Sequence, residues 1–153
     1  MHSLYVMRHG QAESMAPTDA QRALTDRGKR DAFACASTHL KDLHFHYVFV
    51  SPYLRAQQTF EQVKLAGVQF DQMDTVEWIT PDVSTQPALD ELIALPGDNL
   101  SVLLVCHQTF AGRLVTKLTE GHEYGLHLNT ASIACIKTPV FASQCADFIG
   151  VLA

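Results

Sequence analysis

The chain has 153 residues and a formal net charge of −5, from 11 lysines and arginines against 16 aspartates and glutamates. This balance argues against a broad nucleic-acid surface, and no apolar stretch approaches the roughly 20 residues that cross a bilayer. Hydrophobic residues make up 47% and charged residues 18%, as in ordinary globular domains. We therefore expect one domain over residues 1–153 that is monomeric and cytoplasmic, without nucleic-acid or membrane partners.

The first predicted element is a short apolar strand over residues 4–7, which leads directly into Arg8, His9 and Gly10. Apolar strands of this kind belong to parallel sheets that are buried on both faces. Ligands of such sheets bind beyond the carboxyl ends of the strands. A cation beside an imidazole at this position is therefore a candidate ligand site.

A helix, a second strand and a second helix follow. Thr25 is the expected N-cap of the first helix, whose apolar positions continue to Leu40. Residues 47–50 predict the second strand, and residues 54–65 predict a helix with Arg55 in its first turn. Because a cation there opposes the helix dipole, Arg55 calls for a compensating anion.

Two more strand and helix pairs are predicted downstream. Residues 76–79 predict a third, outer strand, and residues 87–95 predict a helix. Residues 101–105 predict the fourth strand, and residues 109–118 predict the helix after it. His107 lies just past the end of that fourth strand, in the same position relative to its strand as His9 relative to the first.

The last two predicted strands, residues 130–137 and 148–152, have no helix between them and are expected to form a hairpin or an edge pair. Upstream of them, strands and helices alternate. This alternation predicts an α/β fold, a three-layer α/β/α sandwich with a mostly parallel central sheet.

Four side chains at the strand ends suit phosphoryl transfer. A phosphoryl group in transfer spreads negative charge over three oxygens, which fixed cations must stabilise. Arg8, Arg55 and His107 are the candidates for this role, and arginine donates bidentate hydrogen bonds to phosphate. His9 is the candidate nucleophile, because a neutral imidazole nitrogen can attack phosphorus and form a phosphohistidine.

The attack requires one tautomer of His9. We expect its non-attacking nitrogen to donate to a nearby backbone carbonyl, which would aim the reactive lone pair at the substrate. We expect Gly10 to let the backbone turn away without a Cβ that crowds the phosphate.

Several short motifs carry a family resemblance. They are Arg8-His9-Gly10, Leu24-Thr25-x-x-Gly28, Ser51-Pro52-x-x-Arg55-Ala56-x-x-Thr59 and the strand-end His107. In order and rough spacing, the chain resembles the histidine phosphatase superfamily, whose fold is phosphoglycerate mutase-like. Its short length and the absence of an inserted capping region look most like the small branch of phosphohistidine phosphatases.

The resemblance implies that His9 is phosphorylated and that Arg8, Arg55 and His107 hold the phosphate. It implies neither a metal nor a cofactor. The implied substrate is a protein phosphohistidine, on a phosphotransfer domain of a relay or on a phosphocarrier protein, reached through an open, uncapped site.

The proton donor is the least defined position. In larger relatives an acid after the third strand protonates the leaving oxygen, and the nearest counterparts here are Glu77, which we favour, and Asp82. An imidazole leaving from phosphorus can already carry its proton, so a phosphohistidine needs less acid catalysis than an ester. Two alternatives remain open: a phosphatase of small phosphate esters, which requires an acid such as Glu77, and a phosphate-binding module without turnover.

Other histidines and cysteines have simpler interpretations. His44 and His46 alternate along the chain without a third ligand at metal-binding spacing, so we interpret them as ordinary strand or loop residues. Cys106 precedes His107 on an extended segment, where neighbours point to opposite faces, so we expect a core thiol. The four cysteines lack paired spacing and are expected to be reduced.

Overall fold

The computed structural model describes residues 1–153 and consists of six strands and four α-helices, with two short 3₁₀ turns. The strands are β1 (His2–Arg8), β2 (His44–Val50), β3 (Gln69–Thr75), β4 (Ser101–Cys106), β5 (Ile133–Thr138) and β6 (Asp147–Leu152). The helices are α1 (Asp26–His39), α2 (Leu54–Leu65), α3 (Gln86–Ile93) and α4 (Phe110–Glu120), and the 3₁₀ turns are Asp19–Gln21 and Glu77–Ile79. No helix is long and apolar enough to cross a membrane.

All six strands form one sheet, in the order β3-β2-β4-β1-β5-β6. The first four strands in sequence run parallel to one another, whereas β5 is antiparallel to β1 and β6 is antiparallel to β5. The mostly parallel sheet and the terminal strand pair predicted from the sequence are both confirmed. The carboxyl ends of β1, β2 and β4 therefore meet at one edge of the sheet.

Each face of the sheet is covered by two helices. Along β4, Val102 and Leu104 contact the cluster that contains α3 and α4, while Leu103 and Val105 contact the cluster that contains α1 and α2. Successive strand residues point to opposite faces, so a strand between two helix layers must be apolar throughout. The expected three-layer α/β/α sandwich is confirmed.

The third strand is where the sequence prediction was wrong. Residues 76–79 do not form the outer strand, because Gln69–Thr75 forms it and Glu77–Ile79 is a 3₁₀ turn. None of the seven residues of β3 is buried, so this edge strand lacks the apolar pattern of the others. The apolar residues after it serve packing instead: Ile79 is fully buried, and the Trp78 ring lies 5.0 Å from the Phe49 ring.

The start of α1 presses against the loop that follows β1. Thr25 caps the helix, and its Oγ1 accepts a hydrogen bond from the Gly28 N–H at 3.0 Å. A Cβ on Gly28 would lie 2.0 Å from the Gln11 carbonyl oxygen, and a Cβ on Gly10 would lie 2.5 Å from the Gly28 carbonyl oxygen. The close approach of α1 therefore requires a glycine at position 10, for a reason that the sequence analysis did not anticipate.

Candidate active site

The structure brings together the four residues predicted from the strand ends. Arg8 is the last residue of β1 with His9 directly after it, Arg55 lies in the first turn of α2, and His107 follows β4. The His9 and His107 ring centroids are 5.2 Å apart, and the Arg55 Nε lies 3.2 Å from the His9 Nε2. They converge because β1, β4 and β2 are neighbours in the sheet and run in the same direction.

The tautomer of His9 follows from two contacts. Its Nδ1 lies 2.6 Å from the Gly10 carbonyl oxygen, which can only accept, so Nδ1 carries the proton. Its Nε2 accepts a hydrogen bond from the Arg55 Nε–H, which requires a free lone pair on Nε2. The backbone carbonyl that we expected to orient the ring is Gly10 itself.

His9 is held in its neutral form. Burial lowers its pKa from 6.5 to about 4, and the nearby positive charges of Arg55 and Arg8 act in the same direction, although the Gly10 hydrogen bond opposes them. The residue as a whole is only 7% exposed. A neutral imidazole with an unprotonated Nε2 is the form that can attack an electrophile.

His107 has one satisfied ring nitrogen and one unsatisfied one. Its Nε2 lies 2.7 Å from the Oγ of Ser51, a fully buried residue just after β2. Its Nδ1 is buried without a hydrogen-bond partner. Burial, together with the neighbouring His9 and Arg55, lowers the pKa of His107 to about 2.

Arg8 also has an unused donor. Its Nη1 donates to the Leu128 carbonyl oxygen at 2.9 Å, but its Nε is buried without a partner. These two atoms, the Arg8 Nε and the His107 Nδ1, are the only buried side-chain nitrogens or oxygens that lack a partner. Because buried polar groups are nearly always paired, two orphaned nitrogens on the residues next to the His9 ring are suited to an anionic ligand.

Arg55 is held by a residue that sequence reasoning missed. Its Nη1 donates to the Asp19 carbonyl oxygen at 2.7 Å, and its Nη2 donates to the Asp19 Oδ2 at 3.1 Å. The loop between β1 and α1 therefore covers Arg55, which is only 3% exposed. Contact between residues 36 positions apart has no local sequence signal, so only the fold could reveal it.

Thr59 connects the loop that carries His9 to α2. Its hydroxyl accepts from the Gly10 N–H at 3.0 Å and donates to the Arg55 carbonyl oxygen at 2.8 Å. The residue was part of a quoted motif, but its contact with Gly10 was not expected. Through it, the backbone that carries His9 is fixed to the helix that carries Arg55.

The structure does not bring the expected acids into this cluster. Glu77 is exposed in the 3₁₀ turn after β3, and its carboxylate makes no hydrogen bond or ion pair with the four residues; Asp82 is exposed as well. A role for Glu77 as proton donor stays a prediction. Cys106 is fully buried in the core, where burial raises the pKa of its thiol to about 12.

The geometry described so far agrees with the comparisons to known proteins. Residues 4–77 match the histidine phosphatase superfamily (branch 1). A phosphohistidine phosphatase SixA homolog of Haemophilus influenzae is 37% identical over 128 residues, which cover 76% of each chain. The chain belongs to the histidine phosphatase superfamily. The family and this relative indicate a phosphatase with a histidine nucleophile, as the resemblance of the motifs implied.

Two further histidine phosphatases extend the likeness over more of the chain. The phosphohistidine phosphatase SixA of Escherichia coli is 31% identical over 137 residues, 87% of this chain and 83% of its own. A solved structure of the protein histidine phosphatase SixA with tungstate superposes with a TM-score of 0.87 at 26% identity, covering 99% of this chain and 96% of that one. The likeness in fold thus extends beyond the N-terminal segment that the family match covers.

Proposed function

We propose that this protein is a phosphohistidine phosphatase that hydrolyses protein-borne phosphohistidine through a phospho-His9 intermediate. The observation that carries the proposal is the neutral His9, whose Nε2 lone pair faces Arg55 while its Nδ1–H is held by Gly10. The names of the two sequence relatives support the substrate class. The phosphohistidine would lie on a phosphotransfer domain or a phosphocarrier protein in the cytoplasm.

In the first step, the His9 Nε2 lone pair attacks the phosphorus of the substrate phosphohistidine. The bond from phosphorus to His9 Nε2 forms, and the bond from phosphorus to the substrate imidazole breaks with its electron pair returning to that imidazole. As His9 gains positive charge, its Nδ1–H bond to the Gly10 carbonyl becomes stronger. The Arg55 Nε–H, which donates to the lone pair before reaction, is then free to donate to a phosphoryl oxygen.

The phosphoryl oxygens would accept hydrogen bonds from donors that have no acceptor within the protein. The Arg8 Nε is buried and unpaired, and it keeps its charge although burial and Arg55 lower its pKa. The Ser51 hydroxyl can donate to the His107 Nε2, which leaves the proton of a neutral His107 on Nδ1, the unpaired atom. Fixed donors of this kind stabilise charge in the transition state without reorganising.

In the second step, a water molecule attacks the phosphorus of phospho-His9. The bond from the water oxygen to phosphorus forms as the bond from phosphorus to Nε2 breaks with its electron pair returning to Nε2. Both water protons leave with the product as dihydrogen phosphate. Beyond Arg8, His9, Arg55, His107 and the residues that hydrogen-bond to them, this step requires no other residue of the chain. The monomeric state and the single uncapped domain over residues 1–153 belong to the same proposal.

A phosphohistidine fits the site better than a phosphate ester does. An ester releases an alkoxide, which needs a proton from a general acid, whereas an imidazole can leave with its proton already in place. The exposed Glu77 side chain makes no hydrogen bond or ion pair with Arg8, His9, Arg55 or His107. A docked protein could therefore be dephosphorylated without an acid of this chain.

The test compares phosphate release from a histidine-phosphorylated phosphocarrier protein with release from p-nitrophenyl phosphate, for the wild type and for His9→Ala and Glu77→Gln. The proposal predicts faster release from the phosphocarrier, loss in His9→Ala and retention in Glu77→Gln. Ester hydrolysis that is as fast and depends on Glu77 would indicate an ester phosphatase. Phosphate binding without any release would indicate a binding module.

A further inference from the structure

Asp19 binds one side of the Arg55 guanidinium group, and the other side faces His9. A guanidinium carries two forks of donors, one made by Nη1 and Nη2 at its end and one made by Nε and Nη2 along its side. Asp19 takes the end fork, because its carbonyl oxygen accepts from Nη1 and its Oδ2 accepts from Nη2. The side fork begins with the Nε–H, which points at the His9 Nε2.

Asp19 therefore fixes the orientation of the Arg55 guanidinium through its Nη1 and Nη2 end. Two bonds to one residue, at 2.7 Å and 3.1 Å, fix both the position and the plane of the group. The Tyr53 ring lies against it, with the guanidinium carbon 4.9 Å from the ring centroid. With the plane fixed, the donors of the side fork point toward the position that a phosphoryl group bonded to His9 would take.

Asp19 is itself held in place. Its Oδ1 accepts from the Arg22 Nε at 2.8 Å, and the Arg22 Nη1 donates to the Glu13 carbonyl oxygen at 3.2 Å. Slight burial raises the pKa of Asp19, but hydrogen bonds from Arg55 and Arg22 outweigh it and hold the pKa below its usual value. The carboxylate is ionised at neutral pH and cannot serve as a proton donor there.

We propose that Asp19 is a positioning residue, which holds the end of the Arg55 guanidinium so that its side fork binds the phosphoryl group during transfer to His9. The inference rests on the proposed function for its reaction, but not for its effect on anion binding. Asp19 acts through Arg55 and does not touch the reacting atoms. The loop between β1 and α1 thus contributes Asp19 to the site, although only His9 and Gly10 at its start were predicted to take part.

The direction of the effect on anion binding makes the proposal testable. Asp19 is an anion close to an anion site, so by charge alone its removal would tighten the binding of a second anion. Positioning predicts the opposite. Without the Asp19 carboxylate, Arg55 keeps only its bond to the backbone carbonyl of residue 19, so its plane is less well fixed and binding an anion costs additional ordering entropy. The two effects have opposite signs in a single measurement.

The experiment measures tungstate and inorganic phosphate affinity by calorimetry, together with kcat and KM on the histidine-phosphorylated phosphocarrier. The variants are Asp19→Ala and Asp19→Asn, and Asp31→Ala is the matched control. Asp31 forms an exposed ion pair with Arg27 at 3.6 Å, so its removal deletes the same charge from a pair outside the site.

We expect Asp19→Ala to weaken tungstate binding and to lower kcat/KM by about 10- to 100-fold, mainly through kcat, as for other residues that orient a functional group. Asp19→Asn retains an oxygen that can accept from Nη2, so it should recover part of both losses. Asp31→Ala should match the wild type. The melting temperature of Asp19→Ala should stay near that of the wild type, since the Asp19 side chain is 58% exposed.

Tighter tungstate binding by Asp19→Ala, or unchanged binding and turnover, would overturn the proposal. Equal losses in Asp19→Ala and Asp19→Asn would also count against positioning through Nη2. If the wild type fails to hydrolyse phosphohistidine, the proposed function fails, yet the tungstate comparison still decides whether Asp19 orients Arg55.

Discussion

Two pairs of histidines lie on this sheet with similar spacing and contrasting surroundings. The His9 and His107 ring centroids are 5.2 Å apart, and those of His44 and His46 are 5.8 Å apart. The first pair follows the carboxyl ends of β1 and β4. The second pair lies at the start of β2, at the opposite end of the parallel strands. Only the first pair is buried.

The difference lies in what satisfies the rings. The His44 Nε2 pairs with the Asp71 Oδ1 at 2.7 Å, and the His46 Nδ1 accepts from the Ser101 N–H at 3.0 Å. The His107 Nδ1, by contrast, has no partner, and His9 presents its lone pair to an arginine. The spacing between two histidines is therefore a weak indicator of function. Burial beside positive charges, together with a buried nitrogen that lacks a hydrogen-bond partner, is a stronger indicator.

The largest expected effect comes from removing one ring of each pair. His9→Ala should lower the turnover of a histidine-phosphorylated phosphocarrier by at least about 10³-fold, because it removes the nucleophile. His44→Ala should leave turnover unchanged, because that ring is exposed and bonded to Asp71. Steady-state phosphate release measures both. Similar losses in the two variants would remove the distinction between the pairs.

Arg55→Lys should have the next largest effect. Lysine keeps the charge but cannot hold Asp19 with one fork and the phosphoryl group with the other. We expect a fall in kcat of about 10²- to 10³-fold, as for the loss of a donor to transition-state charge. The control is Arg27→Lys, at an exposed ion pair with Asp31, and it should leave kcat unchanged. Near wild-type kcat in Arg55→Lys would show that charge alone suffices.

The depressed pKa of His9 should appear as a dependence of stability on pH. Its pKa is about 4 in the folded protein and close to 6.5 in the unfolded chain, so the unfolded state binds more protons between these values. Stability from this group is present above pH 6.5 and is lost as the pH falls toward 4. Between pH 7 and pH 5, wild type should lose on the order of 2 kcal/mol of unfolding free energy relative to His9→Gln.

Urea unfolding of both proteins at the two pH values measures this difference. His44→Gln is the control on the other pair and should track the wild type. A wild type that keeps its full advantage at pH 5 would mean that His9 is not buried in its neutral form.

Ser51→Ala should give the smallest of these effects. It removes the hydroxyl that bonds to the His107 Nε2, so the proton on Nδ1 is no longer favoured. One hydrogen bond of this kind is worth about 1 kcal/mol, which corresponds to a fall in kcat/KM of about fivefold. Ser143→Ala, at an exposed loop position, should match the wild type. Unchanged kinetics in Ser51→Ala would exclude a role for Ser51 in fixing the ring.

The sequence was sufficient wherever an element is buried between two layers. The strands that precede His9 and His107 contain apolar runs, residues 4–7 and 102–106, so their ends and the residues beyond them could be located. The edge strand β3 could not, because its exposed faces carry polar residues and its pairing comes from β2 alone. Its place was wrongly given to residues 76–79, whose apolar side chains belong to a packed turn.

Within the candidate site, the sequence located the residues at strand ends but not those that hold them. His9, Arg55 and His107 follow from topology, which is readable from periodic patterns. Asp19 and the contact of Ser51 with His107 join segments far apart in the chain, across 36 and 56 positions. Such contacts depend on loop conformation, for which a single sequence carries no pattern.

The most direct test of the central claim is to trap the intermediate. Wild-type protein mixed rapidly with a histidine-phosphorylated phosphocarrier, quenched in alkali and analysed by intact-mass and peptide mass spectrometry, should carry one phosphoryl group on His9. The adduct should be stable in alkali, lost in acid and absent from His9→Ala. Turnover that persists in His9→Ala, or a phosphoryl group located on another residue, would contradict the account.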